Sequence, residues 1–213
     1  MVKGVGIFLI FSLAASSAIA LSFDGDWKEQ RFSLFSSNDF IQRGDVLEIE
    51  SEGTVSLLWR PVPSALQKST QAKWAWSVTQ SVVETDLVRK GGDDRNLSLY
   101  FVFLPETLVA TAESKGILWL LDQPQVKVLL YVWGSALDRG QQIPSPYLPD
   151  QGVTVILRPA GTGSFQEDVN LTADYQLAFG SEPGALVGLA VSADSDDTDG
   201  LISARIEGLM LLD

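Results

Sequence analysis

The sequence of 213 residues contains no cysteine and no histidine. Without cysteine there is no disulfide framework, no thiolate metal site and no cysteine nucleophile. Without histidine, the Ser-His-Asp and Cys-His triads, histidine zinc sites and histidine general bases are excluded. Any catalysis would have to run on carboxylates, Lys, Arg, Tyr or Ser. Positive charge is scarce as well: 15 Lys and Arg stand against 27 Asp and Glu, a net charge of −12. Such a surface repels nucleic acid and anionic membranes, and accommodates a cation or a neutral polyhydroxyl ligand more easily. Solubility is the simplest account of the charge.

Long apolar runs are also missing. The one candidate membrane segment, residues 4–15, falls short of the roughly 20 residues that a spanning helix needs. Lys3 precedes it, and Ala18-Ile19-Ala20 follows as a small-x-small cleavage pattern. A secretory signal peptide over residues 1–20 is therefore expected, with one domain over residues 21–213. No cysteine follows the apolar run, which excludes a lipobox. Export without disulfides points to a bacterial periplasm or exterior, with no membrane span after cleavage and a monomer as the expected state.

What is present is a series of short apolar runs, rich in Val, Leu, Phe and Trp, between closely spaced turn signals. Residues 73–78 (KWAWSV) alternate, with Trp74, Trp76 and Val78 on one face. Residues 97–104 alternate too, and the row Leu97, Leu99, Phe101 and Phe103 reads as core. In residues 126–133, Tyr131 and Trp133 stand opposite Val126, Val128, Leu130 and Val132. Further strands are predicted at 23–35, 118–121, 153–158, 186–193 and 201–212, and a hairpin of 46–50 with 54–60 around Ser51-Glu52-Gly53. Residues 105–115 and 170–179 read as short helices, the second closed by Gly180. Residues 64–71 and 136–151 read as connections and 162–165 as a turn. The expected fold is all-β: a jelly-roll β-sandwich, galactose-binding-like, with one or two short helices.

Two loops and a set of aromatics could carry chemistry. In the first loop, Lys90, Asp93 and Asp94 lie beside Gly91-Gly92, which lets the backbone take positive φ. Adjacent aspartates can ligate a hard cation, accept hydrogen bonds from sugar hydroxyls, or act as acid and base; an exposed turn with weak local ion pairs is the plain alternative. In the second, Asp194, Asp196, Asp197 and Asp199 precede Gly200 and could hold a structural calcium, although the EF-hand spacing is not met. A solvated acidic turn is the alternative. Most tryptophans of such a domain belong to its core; Tyr100 and Trp133, opposite the presumed core rows, are the candidates for a groove.

Together these pieces resemble a family of exported bacterial proteins that carry a domain of unknown function. The resemblance rests on Trp27-Lys28, KWAWSV at 73–78, Asp86, KGGDD at 90–94, LYFVF at 99–103, YVWG at 131–134, ADYQLAFG at 173–180 and SADSDDT at 192–198. It implies an architecture similar to carbohydrate-binding jelly rolls, and no activity. Ala75 and Ser98 depart from it, standing where the family pattern tends to carry basic residues. The ligand-binding candidates are thus Lys90, Asp93, Asp94, Ser98, Tyr100, Trp133 and Asp86.

Three functions remain open from the sequence. The first is a non-catalytic binding module for a saccharide or envelope glycan. The second is an envelope scaffold or protein-interaction domain. The third is a carboxylate-dependent glycan hydrolase or lyase, which would pair Asp93 or Asp94 with Asp86, Asp174 or Asp194 across a cleft.

Overall fold

A computed structural model describes residues 18–34, 36–113 and 115–213. In chain order the strands are β1 (Ala18–Ala20), β2 (Lys28–Arg31), β3 (Asp39–Arg43), β4 (Val46–Glu52), β5 (Val55–Pro61), β6 (Gln71–Gln80), β7 (Arg95–Leu104), β8 (Lys127–Trp133), β9 (Gln142–Pro144), β10 (Gly152–Arg158), β11 (Gly163–Asn170), β12 (Ala185–Asp194) and β13 (Leu201–Leu212). Three short helices join them: α1 (Val109–Ala112), α2 (Ile117–Leu121) and α3 (Leu171–Phe179). One sheet runs β11-β6-β13-β4-β3, with β1 also beside β13; the other runs β2-β5-β12-β7-β8-β10-β9. This is the expected all-β jelly-roll sandwich. Of the expected leader, residues 1–17 lie outside the described ones. No described helix is long and apolar enough to cross a membrane.

Strand alternation explains the core. On β6, Trp74, Trp76 and Val78 are buried while Lys73, Ala75 and Ser77 face outward. Across the sandwich they meet Leu97, Leu99, Phe101 and Phe103 of β7 and Leu129, Tyr131 and Trp133 of β8. Rings pack edge to face there: Trp76 on Trp133 with centroids 5.5 Å apart, and Phe101 on Tyr131 at 5.4 Å. Each fully buried side chain of this size contributes roughly 1.5–3 kcal/mol. The opposite rows of β7 and β8, with Val102, Val128, Leu130 and Val132, are buried as well, in a second apolar cluster with Leu87, Ile117 and Leu120. The two middle strands are therefore covered on both faces. Trp133, expected on a groove, lies in the inter-sheet core because both of its strand's rows are apolar.

Four local expectations are corrected. Strands β4 and β5 are not a hairpin: each joins a different sheet, so the chain arches over the sandwich edge between them. Gly53 makes that turn with φ +59°, and its N–H bonds to the carbonyl of Gly200. The alternating apolar row of each strand then faces the shared core instead of lying on one sheet. Residues 117–121 are helix α2, not a strand. Ile117 and Leu120 point inward at helical spacing while Leu118 is exposed. Residues 163–170 are a strand that pairs with β6 along its full length, not a turn. The edge strand expected over 23–35 is confined to β2, and Phe35 lies outside the described residues. Helix α3 forms as predicted: the Asn170 side chain accepts from the Ala173 N–H, and Gly180 ends it at φ +69°.

Candidate functional site

The strands β7 and β12 run antiparallel side by side, with Arg95 in register with Asp194. This register brings the two acidic loops, one before β7 and one after β12, to the same end of the sandwich. Asp93 and Asp94 are almost wholly buried there, at 2% and 0% exposed. The Arg95 guanidinium lies between them and β12. Its Nη1 donates to Asp93 Oδ2 at 2.9 Å and reaches Asp194 Oδ2 at 3.0 Å. Its Nε donates to Ser98 Oγ at 2.7 Å and its Nη2 to Tyr100 Oη at 3.2 Å. Ser98 and Tyr100 thus position Arg95; neither faces a groove. Tyr147 donates its hydroxyl to Asp93 Oδ1 at 3.1 Å. Burial and the adjacent Asp93 carboxylate push the Tyr147 phenol up to about 12.

Asp94 holds the second loop. Its Oδ1 accepts from the Asp197 N–H at 3.1 Å, and its Oδ2 from the Thr198 N–H at 2.9 Å and the Thr198 hydroxyl at 2.5 Å. In return Asp197 Oδ2 accepts from the Asp93 N–H at 3.3 Å. Gly91 takes φ +69°, as its loop requires, and Gly92 does not. Asp194 is pushed up to about 7: burial raises it, Arg95 opposes that, and Asp196 and Asp94 add to it. Asp197 is also raised, by burial and by Asp94, Asp196 and Asp93, against the Asp93 N–H. The carboxylates of Asp94, Asp196 and Asp197 lie within 4.8 Å of one another. Asp199, expected among the metal ligands, lies elsewhere, at the turn against Gly53.

The remaining candidates are peripheral. Asp86 is exposed and closes a turn by accepting from the Val88 N–H. Lys90 is exposed, with its ammonium 5.3 Å from the Tyr147 ring centre. The hollow next to Asp93 and Arg95 measures only about 10 Å³, the size of about one water. The proposed second carboxylate Asp194 does meet Asp93, but across a shared arginine. Asp174 accepts from the buried Tyr131 hydroxyl at 2.6 Å, and that carboxylate holds the phenol strongly protonated on top of its burial.

The sequence reading missed two features. One is a buried carboxylate, Glu167 on β11, with its side chain 0% exposed. It accepts from the Trp76 indole at 3.0 Å, Arg158 at 2.7 Å and Arg139 at 2.9 Å. Its strand position opposite Trp74 was legible only once 163–170 is read as a strand.

The other is a groove at the opposite end, where β7 ends and β12 begins. Three neighbouring hollows of about 540, 150 and 140 Å³ share Gln67 as a lining residue. Ser64 and Val109 line two of them, as do Lys68, Glu106 and Ala185. Half-buried Trp59 lines the second lobe. Lys68 and Glu106 stand 3.7 Å apart across the groove. Ser69, 6% exposed, lines the third lobe, and its hydroxyl has no hydrogen-bond partner among the described residues.

The family model described as "Protein of unknown function (DUF3047)" matches residues 21–210. No curated protein matches the sequence. Among solved structures, the xyloglucanase domain of NopAA, a type three effector from Sinorhizobium fredii in complex with cellobiose, is similar at 5% identity and TM-score 0.46, over 94% of this chain and 99% of that one. The family 11 xylanase from Neocallimastix patriciarum is similar at 10% identity and TM-score 0.41, over 92% and 98%. Neither likeness transfers a ligand or an activity to this chain.

Proposed function

The chain belongs to the DUF3047 family of proteins of unknown function, and we propose that this member is a non-catalytic binding module for a saccharide, an envelope or exterior glycan met after export to the periplasm or beyond. The observation that carries the reading is the groove around Gln67. Its largest lobe, about 540 Å³, lies within the ~300–1,000 Å³ range of small-molecule sites. Gln67, Lys68 and Glu106 offer donors and acceptors for hydroxyl groups. Trp59 offers an indole on which the C–H face of a sugar ring could rest. A net charge of −12 suits a neutral ligand better than an anionic one.

The carboxylates considered for hydrolysis support a non-catalytic role by their engagements. Asp93 and Asp194 bracket Arg95, Asp94 holds the 194–200 loop, and Asp174 accepts from the buried Tyr131 hydroxyl. A glycosidase needs two carboxyl groups free to flank a bound glycosidic bond.

The test is a glycan array followed by calorimetry on the purified protein, with and without calcium. Binding to at least one polysaccharide class, without release of reducing ends, is the expected outcome. Absence of binding to every glycan under both conditions would overturn the proposal in favour of a scaffold role.

A further inference from the structure

We propose that Asp94, Asp194, Asp196 and Asp197 form a calcium site that ties the 194–200 loop to the loop preceding β7. The proposal is independent of the groove, which lies at the other end of the ten-residue strands β7 and β12, roughly 30 Å away at ~3.3 Å per residue.

Charge comes first. Five carboxylates gather here: Asp93, Asp94, Asp194, Asp196 and Asp197. Among the described residues only Arg95 forms an ion pair with any of them. Lys90 faces the Tyr147 ring instead. Asp94 is fully buried and has hydrogen-bond donors but no cationic partner among the described residues. A buried charge held without a counter-charge is costly, and a divalent cation would supply one.

Geometry comes next. Ligand oxygens sit about 2.3–2.6 Å from calcium, so two on opposite sides stand roughly 4.6–5.2 Å apart. One carboxylate oxygen from each of Asp94, Asp196 and Asp197 lies within 4.8 Å of the other two. Magnesium keeps several waters and takes only one or two carboxylates as a rule, so a set of three or four favours calcium.

An independent observation points to the same ion. Asp194 is 7% exposed, and its Oδ2 is taken by Arg95. Its Oδ1 is buried and has no hydrogen-bond partner among the described residues. Asp196 and Asp94 are the carboxylates whose charge bears on Asp194. A buried carboxylate oxygen with no donor is a misfit in a protein-only account, and a cation beside Asp94, Asp196 and Asp197 would supply its partner. Asp196 and Asp197 are exposed, which leaves the ion an entry path and room for water to complete its shell.

Calorimetry and thermal melts in calcium, against magnesium and sodium chloride at matched ionic strength, test the site on the secreted chain. One calcium per chain is expected. At about a hundred-fold excess over Kd the melting temperature should rise by roughly 5–10 °C. Asp196→Asn and Asp197→Asn, both surface changes and the second keeping an amide oxygen for the Asp93 N–H, should each weaken calcium binding about ten-fold or more. Asp199→Asn, outside the cluster, should retain it. No heat and no melting shift at millimolar calcium, or an equal shift in magnesium or in the Asp196→Asn, Asp197→Asn double variant, would overturn the proposal.

Discussion

Arg95 decides what the double aspartate does. A loop of Lys, two glycines and two aspartates offers carboxylates to any cation, hydroxyl or proton nearby, and in this fold a guanidinium three residues before Ser98 takes that role. It forks to Asp93, Asp194, Ser98 and Tyr100 at once, which a lysine cannot do. Removing it would leave two buried carboxylates facing each other. Arg95→Met should therefore cost about 3–5 kcal/mol, a fall in melting temperature of roughly 6–20 °C for a domain of this size, and Arg95→Lys should recover only a small part. Differential scanning calorimetry of the two variants measures this directly. Ser98 accepts from Arg95.

Asp194 gives the same network a pH dependence. Unfolded, it titrates near 3.8; folded, at about 7, because burial outweighs Arg95 and because Asp196 and Asp94 face it. Between those values the folded state keeps a proton that the unfolded state has lost. The stability contributed is thus complete below the lower value and is lost as pH rises through the upper one. In chelator the protein should melt at a higher temperature at about pH 5 than at about pH 8, and Asp194→Asn should flatten that difference. Melts that climb with pH over this window would contradict the assignment.

At the scale of elements, alternation made β6, β7, β8, β12 and β13 legible, because one face of each meets the inter-sheet core and a period of two is written into the residues. The same pattern hid the second layer. On β7 and β8 both rows are apolar, and sequence alone does not say that α2 and neighbouring loops cover the outer one. Tyr100 and Trp133 were assigned to a groove for that reason. Strand β11 was missed because GSFQEDVN is polar on one face and carries Glu167 on the other. That carboxylate is buried because its partners come from elsewhere, 9 residues back at Arg158, 28 back at Arg139 and 91 back at Trp76. Glu167→Gln removes the charge and keeps the shape. Both arginine side chains are partly exposed, at 22% and 48%, so water can take them up, and the loss should stay near 1–3 kcal/mol. A urea titration would read it as a lower midpoint at unchanged slope.

For the whole molecule, the structure separates two ends that the sequence did not. The KGGDD loop looked like the mouth of a site because polar residues precede a core strand. It proved to be a buried closure that joins two loops at one end. The concave surface lies at the other end, made by residues 64–69, 106–113 and 184–187, three stretches distant in sequence. None of these has a motif, since a groove lined by Gln, Lys, Glu and Ser carries no spacing rule. The all-β class and its jelly-roll form, by contrast, follow from alternation and turn spacing summed over the whole chain.

On the proposed function, recognition and cohesion lie at opposite ends of the sandwich. The most direct test is calorimetric titration of the glycan that the wild-type protein binds against two variants, with melting temperatures measured alongside. The Gln67→Ala, Lys68→Ala double variant should lose about ten-fold or more in affinity, on the order of 1.4 kcal/mol, with only a small fall in melting temperature from the lost Gln67–Val62 hydrogen bond and the exposed Lys68–Glu106 pair. Asp93→Asn should melt earlier and, below its transition, bind as wild type does. Binding lost in folded Asp93→Asn and kept in the groove variant would contradict the account.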